Sequence, residues 1–340
     1  MRNRSFAIIG CEHIHIDIFI REMLELGYEC AGICDREDNP LARTLAEKYG
    51  VPLTQERERL LMAVDIVGSA AINSEKIDII ELCEQAGKPI MVDKPAVTNR
   101  RDYERLQAVM ERGKIEVGML LTERFHPAIY TLKRQIDQGA LGQLVSIGMR
   151  KPHRLNPSRR PEWFFSKEQC GGIVIDLLVH DYDLLRWLTG TEVIRSDGYV
   201  TKRIMPEYPE FYDLASVQVV MEGKVIAQLY ADWFTPALSW TWGDGRIFVT
   251  GTEGFAELRL SGDFTVAEEP LLLLTSNAEA PRQLELERPP VTITADFLGR
   301  LESKPSILTN HDILMATRYV IEADERVEQN RVDNVESIIK

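Results

Sequence analysis

Short apolar runs alternate with amphipathic helical segments along the first third of the chain. Phe6–Gly10 predicts a buried strand, and the apolar spacing after it predicts a helix over Ile14–Leu26 that ends at Gly27. Further strands are predicted over Cys30–Cys34, Asp65–Ser69, Pro89–Asp93 and Ile115–Leu121, and further helices over Pro40–Tyr49, from a cap at Ser74 to Gly87, and over Asn99–Arg112. This alternation is typical of an α/β domain with a parallel, doubly wound sheet.

The pattern changes after Arg124. A helix is predicted over Pro127–Gly139 and a strand over Leu144–Arg150, followed by a loop rich in proline and arginine. The chain from Tyr199 to about Ile293 has mainly strand patterns, and a last helix is predicted over His311–Val327. We therefore predict two domains, residues 1–122 and residues 123–340, with the second of the α+β class.

One helical segment of the second predicted domain carries charged residues inside an apolar sequence. In Gly171–Leu188 the residues Asp176, His180, Asp183 and Trp187 fall at i, i+4, i+7 and i+11, which is one face of a helix. A buried carboxylate is costly unless it is paired. Either these groups pair with one another as part of the structure, or this face of the helix lines a cleft that solvent enters.

The charge and composition of the chain limit the kinds of molecule that it is expected to bind. The net charge of −13 disfavours nucleic acids and anionic membranes, and no apolar run reaches the length of a membrane span. The five cysteines are scattered and form no C-x-x-C pair, which favours reduced thiols over disulfides or a zinc site. We expect a soluble cytoplasmic protein that acts on small molecules.

The turn after the first strand resembles a dinucleotide-binding turn that has lost two glycines. A G-x-G-x-x-G sequence lets the backbone approach a diphosphate at a helix N-terminus, but here Gly10 is followed by Glu12 and His15 at the other two glycine positions. Asp35 ends the second strand, where an acid binds ribose hydroxyls and favours NAD, whereas Arg36 keeps NADP possible. The alternative is an ordinary α/β turn with a solvated Glu and His.

His13 and His15 raise the question of a metal. Residues two apart on a helix do not face each other, and the sequence offers no further ligand cluster near them. We therefore predict that the chain has no metal site.

Lys94 follows a strand of the first domain. A lysine at the carboxyl edge of a parallel sheet points toward the crevice where such sheets bind ligands, and it can relay protons there. The alternative is a surface lysine that pairs with Asp93 or Glu104.

Four motifs occur together and in order: Gly10 with its turn, Asp93-Lys94-Pro95, Arg124-Phe125-His126-Pro127, and Gly171-Gly172 followed by Asp176-x-x-x-His180-x-x-Asp183. In combination they resemble the glucose–fructose oxidoreductase, inositol dehydrogenase and MocA (Gfo/Idh/MocA) family over nearly the whole chain, most closely over residues 5–190. The resemblance implies an N-terminal Rossmann domain and a C-terminal domain with a large open, mainly antiparallel sheet. It also implies a homodimer or homotetramer formed through that sheet.

The resemblance carries roles onto particular residues. Lys94, Asp176 and His180 are the expected catalytic residues. The expected cofactor-binding residues are Gly10, Cys11, Glu12, His13, Ile14, Asp35, Arg36, Asn73, Asp93 and Lys94, and the expected substrate-binding residues are Arg124, His153, Arg154, Trp163 and Asp183. Besides the lost glycines, Leu178 stands where the family usually has glycine, and Asp93 replaces the usual glutamate.

We therefore expect an oxidoreductase that uses NAD, or NADP, to oxidise a sugar, cyclitol or related polyol. Two alternatives remain. The first is a non-catalytic ligand-binding or regulatory member of the family that has lost its cofactor through Glu12 and His15. The second is an enzyme that keeps NAD bound and uses it transiently, in lyase, epimerase or isomerase chemistry.

Overall fold

The first of two compact units contains a parallel sheet of six strands. The structure, a computed structural model, describes residues 4–263, 265 and 268–329. The strands are β1 (Ser5–Cys11), β2 (Glu29–Cys34), β3 (Leu53–Thr54), β4 (Ile66–Ala70), β5 (Ile90–Val92) and β6 (Val117–Met119), in the order β3-β2-β1-β4-β5-β6. The helices between them are α1 (Ile16–Glu25), α2 (Pro40–Tyr49), α3 (Arg57–Ala63), α4 (Lys76–Ala86) and α5 (Arg100–Arg112). The doubly wound α/β prediction is confirmed, and strand order reverses between β1 and β4.

The second unit contains a mixed sheet of eight strands. Its elements begin with α6 (Pro127–Asp137), β7 (Leu144–Pro152), the short helix α7 (Lys167–Cys170), α8 (Gly172–Thr189) and β8 (Val193–Thr201). They continue with β9 (Leu214–Met221), β10 (Ile226–Asp232), β11 (Arg246–Gly251), β12 (Gly254–Arg259), β13 (Leu271–Ser276) and β14 (Arg282–Gln283). The strand order is β14-β13-β12-β11-β7-β10-β9-β8, in which β7 and β10 are parallel and the other neighbours antiparallel. The predicted large, mainly antiparallel sheet is confirmed.

Helix α8 packs across β7, β10 and β9 because most of its side chains are apolar and nearly all of them are buried. On the strands, residues of one parity are buried, as with Ala215, Val217 and Val219 of β9, whereas Ser216 and Gln218 are exposed. The core of this unit therefore lies between the sheet and its helices.

The division of the chain differs in part from the two predicted segments. The change of unit between Thr122 and Glu123 coincides with the predicted boundary, but Glu168–Gly171 and Val291–Thr317 belong to the first unit. Residues 1–3 and 330–340 of the predicted ranges lie outside the described residues. The later segment contains α9 (Ile293–Leu301), which packs against α1, and the start of α10 (Asn310–Gln329). Among the described residues, no helix has the length and hydropathy needed to cross a membrane.

Candidate functional site

The turn after β1 requires glycine at its first position. Gly10 has φ of +79°, and a Cβ added there would lie 2.4 Å from the Cβ of Ala71. Both the backbone conformation and the close approach of the segment after β4 exclude a larger residue. The fold therefore requires glycine at this position.

Three backbone N–H groups are available where α1 begins. The Cys11 N–H donates to Asp35 Oδ2 (2.6 Å) and the Glu12 N–H donates to the Ala70 carbonyl (2.7 Å). Within the described part of the chain, the N–H groups of His13, Ile14 and His15 have no acceptor, and no side chain caps the helix. Unpaired N–H groups at the positive end of a helix favour an anion such as a diphosphate.

The carboxylate of Glu12 is balanced by a neighbouring cation. Arg36 Nη2 lies 2.9 Å from Glu12 Oε1, and Arg36 is also 3.6 Å from Asp38. The negative charge at the second glycine position is thus paired, so it repels an anion at the turn less than a lone carboxylate would. The sequence indicated that the Glu12 carboxylate would hinder binding of a diphosphate, but it did not reveal that Arg36 pairs with this carboxylate.

A cavity of about 310 Å³ lies at the end of β2. It is lined by Cys34, Asp35, Arg36, Gln55, Arg57 and Glu58. The Asp35 carboxylate accepts hydrogen bonds from the Cys11 and Arg36 N–H groups at 2.6 and 2.7 Å, which hold it in place beside the cavity. Each oxygen retains a lone pair for a further hydroxyl donor.

His13, His15 and Asp93 form a cluster at the same edge of the sheet. His13 Nδ1 is 2.8 Å from Asp93 Oδ2, and His15 Nδ1 is 3.2 Å from Asp93 Oδ1. Burial by itself would raise the pKa of Asp93, but the two imidazoles outweigh it and hold that pKa well below its usual range. Both histidines precede the first residue of α1. The helical spacing on which the prediction of no metal site was based therefore does not apply to them.

The segment that carries Lys94 is held by a second lysine. Lys76 is fully buried, and its Nζ donates to Asn73 Oδ1 (2.8 Å), the Asp93 carbonyl (2.8 Å) and the Pro95 carbonyl (3.0 Å). Lys94 itself is 6% exposed, which rules out the alternative of a surface lysine. Sequence reasoning missed Lys76, although it lies on the apolar face of α4 with Ile80 and Cys83, at i, i+4 and i+7.

Asn73 was expected to bind the cofactor, but both polar atoms of its side-chain amide make hydrogen bonds within the protein. Its Oδ1 accepts from Lys76, and its Nδ2 donates to the Cys170 carbonyl at 2.9 Å. The side chain is 5% exposed. Its observed role is to join the start of α4 to the segment Glu168–Gly171, which returns to this unit.

In the second unit, α8 presents Asp176 and His180 one turn apart. The side chains are buried at 8% and 7% exposure, within a helix whose other residues are mainly apolar. Residues at i and i+4 lie on one face, so this carboxylate and imidazole are neighbours, as the sequence predicted.

The remaining charge on that face is paired. Arg124 Nε donates to Asp183 Oδ2 at 2.9 Å and Arg124 Nη2 to Asp183 Oδ1 at 2.6 Å, and both residues are 1% exposed. The Arg124 guanidinium also lies 5.5 Å from the centre of the Trp187 ring. Both were expected to bind substrate, but the pair is buried inside the unit and its charges neutralise each other. Neither interpretation left open for this helix describes Asp183, which is buried and pairs with a residue of another segment.

The other expected substrate residues also contact their own unit. His153 Nδ1 lies 3.3 Å from the Lys151 carbonyl, and its ring meets Trp233 edge-on at 5.7 Å. Arg154 Nη2 donates to the Thr241 carbonyl at 3.0 Å. Trp163 is 8% exposed and packs in an aromatic cluster, so it belongs to the core.

A second buried ion cluster adjoins α8. Lys151 Nζ contacts Glu123 Oε1 at 2.5 Å and Asp181 Oδ1 at 2.9 Å, and Asp181 is 1% exposed. Burial raises the pKa of Asp181 to about 6, and Lys151 offsets only part of that effect. The sequence predicts that this strand ends at Arg150, but β7 continues to Pro152, and Lys151 lies within it with its charge neutralised by Glu123 and Asp181.

This raised pKa predicts a pH-dependent stability. The folded state holds the Asp181 proton up to about pH 6, whereas the unfolded chain releases it near pH 4, so stability from this group falls as pH rises between these values. We expect the urea midpoint of Asp181→Asn to rise relative to wild type between pH 4 and 7, with no comparable trend in the exposed control Asp38→Asn. A constant difference across this range would contradict the assignment.

Each of the two units contains a segment that matches a known protein family. Residues 4–119 match the family described as "Oxidoreductase family, NAD-binding Rossmann fold", and residues 129–257 match the "GFO/IDH/MocA C-terminal domain". Together these matches cover most of the chain.

Curated relatives include inositol dehydrogenases. The chain is 24% identical over 230 residues to inositol 2-dehydrogenase 2 of Saccharopolyspora erythraea, covering 66% of this chain and 65% of that protein. It is 30% identical over 197 residues to the NAD⁺-dependent scyllo-inositol 2-dehydrogenase of Bacillus subtilis, covering 56% and 54%. The matches therefore span at most about two thirds of the length of these relatives.

Solved structures share the fold over the full chain. A putative oxidoreductase from Erwinia carotovora atroseptica has a TM-score of 0.86 at 24% identity, covering 97% of this chain and 99% of that one. An aldose–aldose oxidoreductase from Caulobacter crescentus has a TM-score of 0.80 at 20% identity, again with 97% and 99% coverage. With a parallel Rossmann sheet, a C-terminal sheet of eight strands and matches to both family domains, the chain belongs to the Gfo/Idh/MocA family of oxidoreductases.

Proposed function

We propose that this protein is a nicotinamide-dependent dehydrogenase that oxidises a hydroxyl group of a cyclitol or related polyol. The observation that carries the proposal is the start of α1, where Gly10 allows close backbone approach and three N–H groups have no acceptor among the described residues. The inositol dehydrogenases among its relatives support the substrate class.

The residues of the first unit fit a dinucleotide. The N–H groups of His13, Ile14 and His15 would hold the diphosphate, and Asp35 beside its cavity would accept hydrogen bonds from ribose hydroxyls. The Glu12–Arg36 pair reduces the repulsion that the lost glycines introduced. When bound, the nicotinamide supplies the acceptor for the hydride.

The chain's own residues would handle the proton. His180 would accept the proton of the reacting hydroxyl, whose carbon would give up a hydride to the cofactor acceptor, so that the alcohol would become a carbonyl. Asp176, one turn earlier on α8, orients the imidazole and stabilises its charged form. Lys94 binds the hydroxyl oxygen and assists the proton relay, and Lys76 positions the segment that carries it.

The charges around the cavity favour NAD over NADP. Asp35 keeps its carboxylate beside the cavity, where it would repel a 2′-phosphate, and Arg36 is engaged with Glu12. We expect NADH to bind at least about tenfold more tightly than NADPH, because unfavourable juxtaposition of like charges costs more than about 1.4 kcal/mol. A fluorescence titration with each cofactor measures this difference.

The controls separate the alternatives. Asp35→Ala should reduce the preference for NADH, whereas the exposed neighbour Asp38→Ala should retain it. Equal affinities in wild type would contradict the NAD assignment. No binding at millimolar cofactor would contradict the dehydrogenase and favour a non-catalytic member of the family. Cofactor that co-purifies and turns over without net reduction would favour transient use of NAD.

We also propose that the outer face of the eight-stranded sheet joins subunits. Large apolar side chains are exposed on that face, at Tyr199, Val220, Ile226, Phe248 and Phe255, each between 38% and 56% exposed. Val220 and Ile226 are direct cross-strand neighbours, so the apolar surface is continuous there. Sedimentation equilibrium is expected to give a dimer or tetramer, and a monomer mass at micromolar concentration would contradict the proposal.

A further inference from the structure

The strand order of the first unit brings three residues of metal-binding types to one place. His13 and His15 lie in the turn after β1, and Asp93 directly follows β5. Strands β1 and β5 both pair with β4 in a parallel sheet, so their carboxyl ends lie on the same edge. The rings of His13 and His15 meet edge-to-face with centroids 4.2 Å apart.

The separations within this cluster approach those of a shared coordination sphere. One donor atom from each of His13, His15 and Asp93 lies within 4.8 Å of the others. The two short nitrogen–oxygen distances, 2.8 Å from His13 and 3.2 Å from His15, run to different oxygens of the Asp93 carboxylate. Nitrogen and oxygen ligands about 2.1 Å from a metal, at angles of about 90–110°, are roughly 3.0–3.4 Å apart. Shifts of these side chains would bring one donor from each residue into that range.

His13 provides a second, independent observation. Its Nδ1 is buried and makes no hydrogen bond among the described residues, although Asp93 Oδ2 is only 2.8 Å away, because the ring is not aligned to donate to that oxygen. A simple histidine–aspartate pair would satisfy this nitrogen. The Asp93 carboxylate is meanwhile fixed by the Lys94 N–H, which donates to Oδ1 at 2.8 Å.

We propose that His13, His15 and Asp93 form a site for a divalent transition-metal ion of the zinc class. Two imidazoles and one carboxylate suit such ions better than Mg²⁺ or Ca²⁺, which prefer oxygen ligands. Three protein ligands leave coordination positions open to water or another oxygen ligand, as in exchangeable rather than closed structural sites. The site goes beyond the proposed dehydrogenase activity and does not depend on it.

The test is direct binding of Zn²⁺ and Co²⁺ to untagged, chelator-treated and cofactor-free protein. Calorimetry with Zn²⁺ is expected to give one equivalent per chain, and Co²⁺ is expected to give visible d–d absorption bands. Asp93→Asn, which keeps the side-chain shape, and His13→Ala should each weaken Zn²⁺ binding by at least about 100-fold. The exposed His311→Ala is the matched control and should bind as wild type does.

Absence of stoichiometric Zn²⁺ binding in folded wild-type protein would overturn the proposal. Equal binding by wild type, Asp93→Asn and His311→Ala would also overturn it, because the ion would then lie elsewhere. Circular dichroism checks the fold of each variant. If His13→Ala does not fold, the result with Asp93→Asn tests the proposal. Because no cofactor or turnover enters the measurement, a negative result leaves the dehydrogenase proposal unaffected.

Discussion

Replacing His180 with asparagine is expected to lower kcat for polyol oxidation by about 10²- to 10⁴-fold, the usual contribution of a general base. Asparagine keeps a polar side chain at this buried position on α8 but cannot accept the hydroxyl proton. Initial rates of NADH formation, measured with the best substrate from a panel of cyclitols, polyols and sugar acids, give the effect.

Affinity for NADH in the His180→Asn variant should remain within about twofold of wild type, because the proposed cofactor-binding residues lie in other elements. The exposed His311→Asn is the matched control and should retain full turnover. Lys94→Met is expected to show a loss in the same range as His180→Asn. Wild-type turnover in either variant would remove that residue from the mechanism.

Arg124→Met is expected to lower the free energy of unfolding by about 3–5 kcal/mol, because it leaves a buried carboxylate without its partner. Asp183 accepts two hydrogen bonds from Arg124, and both residues are 1% exposed, so little water is available to replace the guanidinium. Urea denaturation at pH 7 measures the loss.

A double variant distinguishes the loss of the ion pair from the change in side-chain volume. Arg124→Met with Asp183→Leu removes both charges and should recover most of the lost stability, since apolar replacements of a buried ion pair are often neutral. The exposed pair Arg195–Asp197 provides the control, and Arg195→Met should change stability little. A single Arg124→Met variant as mild as this control would contradict the buried-pair assignment.

Elements with strong local signals were predicted to the residue. The sequence predicts α2 over Pro40–Tyr49, and the structure agrees because Asn39 caps the first turn, Pro40 occupies its first position and Gly50 adopts the left-handed conformation after it. Asn99 likewise caps α5. These signals act between residues a few positions apart, so they are legible without the tertiary structure.

Short or weakly patterned elements were missed. Strand β3 has two residues, and α3 and α9 have only seven and nine, too few for a clear apolar period. Ser74 was expected to cap α4, but the helix starts at Lys76 after a 3₁₀ turn, and Ser74 makes no cap. Lys76, the first residue of α4, instead donates hydrogen bonds to Asn73 and to the backbone of the segment after β5.

The alternation of apolar and polar positions was sufficient to establish the α/β class, the change of pattern near residue 122, and the shared face of Asp176 and His180. Only the tertiary structure decided which charges are paired: Asp183 with Arg124 59 residues away, Asp181 with Lys151, and Asp93 with two histidines about 80 residues earlier. The reason is physical. Periodicity depends on the geometry of one helix or strand, whereas the partner of a buried charge depends on which elements pack together, and distant parts of the chain contribute to that packing.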